Sequence, residues 1–163
     1  MSNFLSKALV VMTLTFTSAM QASFAANVGE RFGDWVYGCK ATGSSQTVCV
    51  ISQTLLSKKG SRQVLQGMLS KNTKNGEYTF GVITPLNISI QQGVSAITNT
   101  NNKLKLELKS CGRKGCLASK TLTSGELSSL KLGDKLKIGF ILNRKKISIS
   151  LSLKGINAGL KEL

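Results

Sequence analysis

The stretch KLKIGFILNRKKISISLSL, residues 135–153, decides the fold class. In its second half, KISISLSL, apolar side chains alternate with serines, and Asn143 separates this run from a similar run before it. Alternation with a period of two residues indicates strands that bury one face and expose the other. The stretch therefore predicts a β-hairpin that turns at Asn143.

The same pattern recurs along most of the chain. In KLKLELK, residues 103–109, leucines occupy one face, and lysines and a glutamate occupy the other. Asn75-Gly76 is a strong signal for a type I′ hairpin turn. The chain as a whole predicts about eight short strands separated by turns, a pattern typical of a β-sandwich or barrel. The further strand candidates are residues 34–39, 47–56, 62–70, 77–84 and 94–98.

Two short segments carry helical signals. Thr123 and Glu126 have the spacing of a capping box, in which each side chain accepts a hydrogen bond from the other residue's backbone N–H at a helix start. In GINAGLKEL, residues 155–163, Ile156 and Leu160 are four residues apart and fall on one helical face. We therefore expect an all-β sandwich with one or two short helices.

The N-terminus has the three-part pattern of a secretory signal peptide, residues 1–25. Lys7 is followed by an uncharged apolar run and then by small residues, with Ser23 and Ala25 at the positions that precede a cleavage site. The apolar run is shorter than the roughly 20 residues that cross a bilayer as a helix. We expect export to the periplasm, outer membrane or exterior, and one folded domain over residues 26–163.

Four cysteines, an even number, follow the predicted signal peptide. In an oxidising compartment such a set predicts disulfides, and four cysteines allow three pairings. The spacings fit neither a C-x-x-C redox motif nor a zinc knuckle. The two glycines of CGRKGC make a tight turn easy there. We predict two local disulfides, Cys39–Cys49 and Cys111–Cys116.

Basic charge is the feature that bears most on function. The chain has 22 lysines and arginines against 7 aspartates and glutamates, which gives a net charge of +15. If adjacent strands bring these cations together, they form a patch that attracts anions. If they are dispersed, they only keep strand faces soluble and discourage aggregation. The candidate anion-binding residues are Lys103, Lys105, Lys109, Arg113, Lys114, Lys135, Lys137, Arg144, Lys145 and Lys146.

Histidine is absent, which excludes Ser-His-Asp and Cys-His catalysis within this chain. No cofactor or metal motif is evident in the sequence, and none is predicted. A carboxylate pair facing one cleft would still suffice for a glycosidase. Asp34 is expected to be a turn residue, and Trp35 a core residue near the Cys39 disulfide. The seven carboxylates are Glu30, Asp34, Glu77, Glu107, Glu126, Asp134 and Glu162.

Four motifs occur in order along the chain: FGDWVYGC (32–39) with CVISQ (49–53), TPLNISIQQGV (84–94), CGRKGCLA (111–118) and SLSLKGINAGLKEL (150–163). Together they resemble the invasion-associated locus B (IalB) family of exported bacterial proteins. The resemblance implies an immunoglobulin-like β-sandwich and a periplasmic or outer-surface protein linked by name to host-cell entry. It implies no known enzyme activity.

These observations favour a non-enzymatic binding protein of the bacterial envelope. Its basic surface would contact an anionic component of the envelope or host surface, or an acidic protein, and not nucleic acid. One alternative is a periplasmic inhibitor or accessory subunit that inserts the Cys111–Cys116 loop into a partner's cleft. A more distant alternative is a carboxylate-based hydrolase.

Overall fold

A computed structural model of the protein describes residues 26–41, 47–99 and 102–163. The predicted signal peptide, residues 1–25, lies outside the described residues. None of the described helices is both long enough and apolar enough to cross a membrane.

Ten strands and two short helices make up the described chain, so the predicted all-β class is confirmed. The elements are β1 (Arg31–Phe32), β2 (Trp35–Ala41), β3 (Thr47–Leu56), β4 (Gln63–Lys71), β5 (Tyr78–Thr84), β6 (Val94–Thr98), β7 (Lys103–Gly112), β8 (Gly115–Thr121), α1 (Ser124–Leu132), β9 (Lys135–Leu142), β10 (Lys145–Ser152) and α2 (Ile156–Leu160).

The strands are all antiparallel and follow the order β1-β2-β3-β4-β5-β8-β7-β6-β9-β10. Strand β7 joins two sheets, because its first half pairs with β6 and its second half pairs with β8. The pairing shifts register between Leu108 and Ser110, and such a bulge bends a strand where it changes sheets. We call β1–β5 with β8 the first sheet, and β6, β9 and β10 the second sheet; β7 is shared.

The core lies between the two sheets. Trp35 and Phe80 of the first sheet and Leu104, Ile138 and Leu151 of the second are fully buried. Strand β10 lies across β4, because a Cβ at Gly67 would meet the Leu151 side chain. The alternating apolar residues therefore form the inner layer of a sandwich, as the sequence pattern predicts.

Both helices occur where the sequence predicts them. The capping box of α1 is complete: Glu126 donates its N–H to the Thr123 hydroxyl over 3.2 Å, and Thr123 donates its N–H to the Glu126 carboxylate over 2.9 Å. Helix α2 buries Ile156 and Leu160 at one end of the sandwich. Its Gly159 lies against Ile51, so α2 covers the first sheet there.

Some details differ from the sequence prediction. Strand β8 and the two-residue β1 add to the eight expected strands. The loop at Asn75-Gly76 spans the six residues between Lys71 and Tyr78, and only Gly76 of the pair has a positive φ, 73°. A type I′ turn requires positive φ at both central residues, so that prediction was wrong.

Candidate functional site

Both predicted disulfides are confirmed. Cys39 pairs with Cys49 across β2 and β3, and Cys111 pairs with Cys116 across β7 and β8. In each case the two cysteines are also direct cross-strand partners. The hydroxyl of Tyr37 lies 3.2 Å from Cys39 Sγ, so this ring contacts the first disulfide. Trp35 is a core residue as expected, and its Nε1–H donates to the Ser152 carbonyl over 3.0 Å.

The Cys111–Cys116 hairpin is anchored at its base. Gly115 has φ of 128°, and a Cβ there would collide with the Thr84 carbonyl oxygen of β5. The Thr84 hydroxyl donates to the Cys116 carbonyl over 3.2 Å. Arg113 and Lys114 at the tip are exposed. The hairpin is therefore held against β5 and presents two cations to solvent.

The strand register gathers several predicted lysines on the outward face of the second sheet. Ile97 pairs with Lys103 on one side and with Lys137 on the other, so the three residues form one row across β7, β6 and β9. Lys105 occupies the next row beside Ser95. Because side chains alternate between the two faces of a sheet, every second residue before and after these on each strand also points outward. We call the following set the basic face: Lys103, Lys105, Lys135, Lys137 and Lys146.

A shallow trough of about 590 Å³ runs through the basic face. Ser95 and Gly139 are cross-strand partners that line it, and because serine is small and glycine has no side chain, the floor is low there. Lys103, Lys105 and Lys146 line the trough, and no carboxylate is among its lining residues. An anion placed there would meet cations from two strands, β7 and β10. Glu107, the next carboxylate on the exposed face of β7, is paired with Lys109.

The other predicted cations lie apart from this trough. Lys109 forms an exposed ion pair with Glu107 at 2.6 Å. The hydrogen bond and charge of Lys109 lower the pKa of Glu107 below its ordinary value, with smaller contributions from Lys105 and Lys120. Arg144 and Lys145 are exposed at the β9–β10 turn, where Asn143 and Arg144 both have positive φ.

A second and larger cleft, about 920 Å³, opens between the two sheets at the end opposite α2. One wall is the start of β4 with Arg62 and Val64, and the other is β10 with Ile147 and Ile149. Arg113 and Lys114 stand at the rim beside the Pro85–Asn87 loop. The alternating pattern of β10 predicts that both isoleucines are buried, so sequence reasoning missed this cleft.

The carboxylates do not line either of these two clefts. Asp34 is exposed in the turn before β2, and its N–H donates to the Lys154 carbonyl, as expected of a turn residue. Glu126 is occupied by the capping box and by Lys120 Nζ at 2.6 Å. In the described ranges, no three cysteines or acids are grouped as metal ligands would be.

Most of the chain matches a known protein family. The family model of the invasion associated locus B (IalB) protein matches residues 35–163. The chain belongs to the IalB family. Its fold is similar to that of the crystal structure of invasion associated protein B from Bartonella henselae, with a TM-score of 0.72 and 17% sequence identity. The similarity covers 81% of this IalB-family chain and 91% of the Bartonella chain. A search of curated proteins gave no match.

Proposed function

We propose that this IalB-family protein is an exported, non-enzymatic binding protein that uses its basic face to bind an anionic component of the bacterial envelope or host surface. One observation carries the proposal: the strand register places Lys103, Lys105 and Lys146 around a trough that no carboxylate lines. Such an arrangement attracts anions more strongly than dispersed lysines do, because their potentials add.

Export is the second part of the proposal. The two disulfides support it, since such bonds persist in oxidising compartments. The expected product is a mature chain that starts at Ala26. Mass spectrometry of the protein from a periplasmic fraction tests this expectation, and a chain that keeps residues 1–25 would contradict it.

A matched pair of double variants tests the basic face. Lys103→Gln with Lys105→Gln removes two cations from the trough, and Lys58→Gln with Lys59→Gln removes two exposed cations outside it. Both variants have the same net charge. On immobilised heparin and on lipopolysaccharide, we expect only the trough variant to elute at clearly lower salt. The slope of log affinity against log salt should then fall by up to about two.

Two results would contradict the proposal. Equal losses in both double variants would show that net charge alone drives retention. Retention that does not change with salt would show that the contact is not electrostatic, because exposed charge pairs are screened by salt. Comparing heparin with lipopolysaccharide distinguishes a sulfated host glycan from a phosphorylated envelope lipid.

The inhibitor alternative uses the Cys111–Cys116 hairpin as an inserting loop. The hairpin is anchored to Thr84 and forms part of the rim of the larger cleft. This position favours a role in receiving a partner's segment over insertion into a partner.

A further inference from the structure

Strand β10 has one edge that pairs with no other described strand. Within the described chain it pairs only with β9. The Leu153 N–H donates to the Asp134 carbonyl, on the side of β9. The backbone N–H and C=O groups of the odd-numbered residues of β10 therefore face β9. Those of Lys146, Ser148, Ser150 and Ser152 therefore face away from it. An edge of this kind is a template for another extended chain.

Within the described chain, only Ser152 of these four residues has a hydrogen-bond partner on that side. The Ser152 N–H donates to Gln53 Oε1 over 2.9 Å, and the Ser152 carbonyl accepts from Trp35 and Gln53. For Ser148 and Ser150, the described part of the chain shows no hydrogen bond on the open side. Within the described chain, this edge is therefore closed at Ser152 and free along the residues nearer to the β9–β10 turn.

Burial along the inner face of β10 changes at the same point. Leu151 is fully buried, whereas Ile147 and Ile149 are only half-buried and line the larger cleft. Val64 stands on the opposite wall, and Leu86 at the rim is 45% exposed. An added strand beside β10 would place alternate side chains in this cleft, next to the two isoleucines.

The charge around the cleft restricts the occupant. Arg62, Arg113 and Lys114 are on the rim, and no acid is among the lining residues. Lys146 lies on the outward face of β10, beside the free edge. A second copy of this chain would bring the same cations together, and the net charge of +15 disfavours that pairing. An acidic segment is the complementary partner.

We propose that the free edge of β10 and the adjoining cleft bind an extended peptide segment of a partner protein, with alternating apolar and acidic residues. The peptide adds a strand to the second sheet through the backbone of Lys146, Ser148 and Ser150. Its apolar side chains enter the cleft beside Ile147 and Ile149, and its carboxylates point to the outward face, where Lys146 lies. The proposed site borders the trough at Lys146 and Ile147 but does not include Lys103 or Lys105.

The test uses an acetylated heptapeptide of alternating aspartate and valine, with the mature protein. We expect saturable binding by fluorescence anisotropy, and the largest amide shift changes by NMR at Lys146, Ser148 and Ser150. A peptide of alternating lysine and valine should not bind. The Lys103→Gln, Lys105→Gln variant should still bind the acidic peptide, which separates this site from the trough.

One substitution isolates the backbone contact. Ser148→Pro removes an N–H that faces the open edge and leaves the ladder with β9 intact, a position where edge strands tolerate proline. It should weaken peptide binding about tenfold, while Ser148→Ala, which keeps the N–H, should leave binding unchanged. If Ser148→Pro lowers the melting temperature, the same test can be made with the wild-type protein. A peptide that is N-methylated at alternate residues then lacks the N–H groups that would pair with β10.

Three outcomes would overturn the proposal. The acidic peptide fails to bind, or binds equally well after N-methylation, so that no strand is added. In the second outcome, the fatty acid laurate binds in the cleft and displaces the peptide, and Ser148→Pro does not change laurate affinity. That result would assign the cleft to an anionic amphiphile. A dimer that Ser148→Pro dissociates appears in light scattering, which assigns the edge to a second copy.

Discussion

The two ends of β10 have the same alternating sequence but different surroundings. At the closed end, Leu151 packs over Gly67 and the backbone of Ser152 is hydrogen-bonded to the first sheet. At the open end, Ile147 and Ile149 line a cleft and the strand edge is free in the described chain. We therefore expect the more stable packing at the closed end, and the proposed peptide site lies at the open end.

The largest expected effect is on the packing at the two ends. Leu151→Ala should lower the free energy of unfolding by about 3 kcal/mol, because it opens a cavity in a closed core. Ile147→Ala should cost about 1 kcal/mol, because its side chain is only partly buried beside the cleft. Urea unfolding of both variants checks this difference. Equal losses would mean that the cleft is closed in solution.

A matched pair of glutamines gives the next effect. Gln53 is 5% exposed and bonds to both backbone groups of Ser152, so Gln53→Ala leaves the Ser152 N–H without its partner and should cost about 2 kcal/mol. Gln63 is exposed at the open end, and Gln63→Ala should change stability by less than about 0.5 kcal/mol. Thermal melts of both variants compare the two ends. Similar melting temperatures would show that the hydrogen bonds between Gln53 and Ser152 do not stabilise this end of β10.

The smallest effect concerns a site away from both ends. Burial opposes ionisation of Glu126, but hydrogen bonds from Lys120 and Thr123 outweigh it and lower the pKa of Glu126. Its stabilisation is therefore complete above the unfolded pKa of about 4.3 and is lost as pH falls through the lower folded pKa. Glu126→Gln should cost under about 1 kcal/mol at neutral pH.

Chemical denaturation of wild type and Glu126→Gln from pH 7 down to pH 3 measures this dependence. The stability difference should shrink as the wild-type carboxylate takes up its proton. A difference that is constant with pH would show that the charge of Glu126 has no role. Peptide binding at β10 should be the same in both proteins.

Much of the fold could be predicted because it depends on local patterns. The alternation in residues 135–153 predicts β9 and β10, and the Thr123–Glu126 spacing predicts the start of α1. The glycines of CGRKGC indicate a tight turn, which agrees with the Cys111–Cys116 pairing. Each of these signals depends on residues that are close together in the sequence, so packing against distant residues does not override it.

The candidate sites depended on long-range contacts and were less predictable. The sequence identified the exposed lysines, but which lysines share a row depends on the register of β6 with β7 and β9. Ile147 and Leu151 are equivalent in the pattern, and only their surroundings distinguish them: Leu151 is fully buried over Gly67, whereas Ile147 lines the cleft. The Asn75-Gly76 prediction failed because a six-residue loop accommodates the pair without a two-residue turn.

Amide hydrogen exchange at three serines tests the central claim most directly. Ser148, Ser150 and Ser152 lie on the same side of β10, and only Ser152 has a partner for its N–H in the described structure. The account predicts slow exchange at Ser152 and rapid exchange at Ser148 and Ser150, measured by NMR in D₂O without added peptide. Equal protection of all three amides would show that the edge is already covered and would contradict an open end on this sandwich.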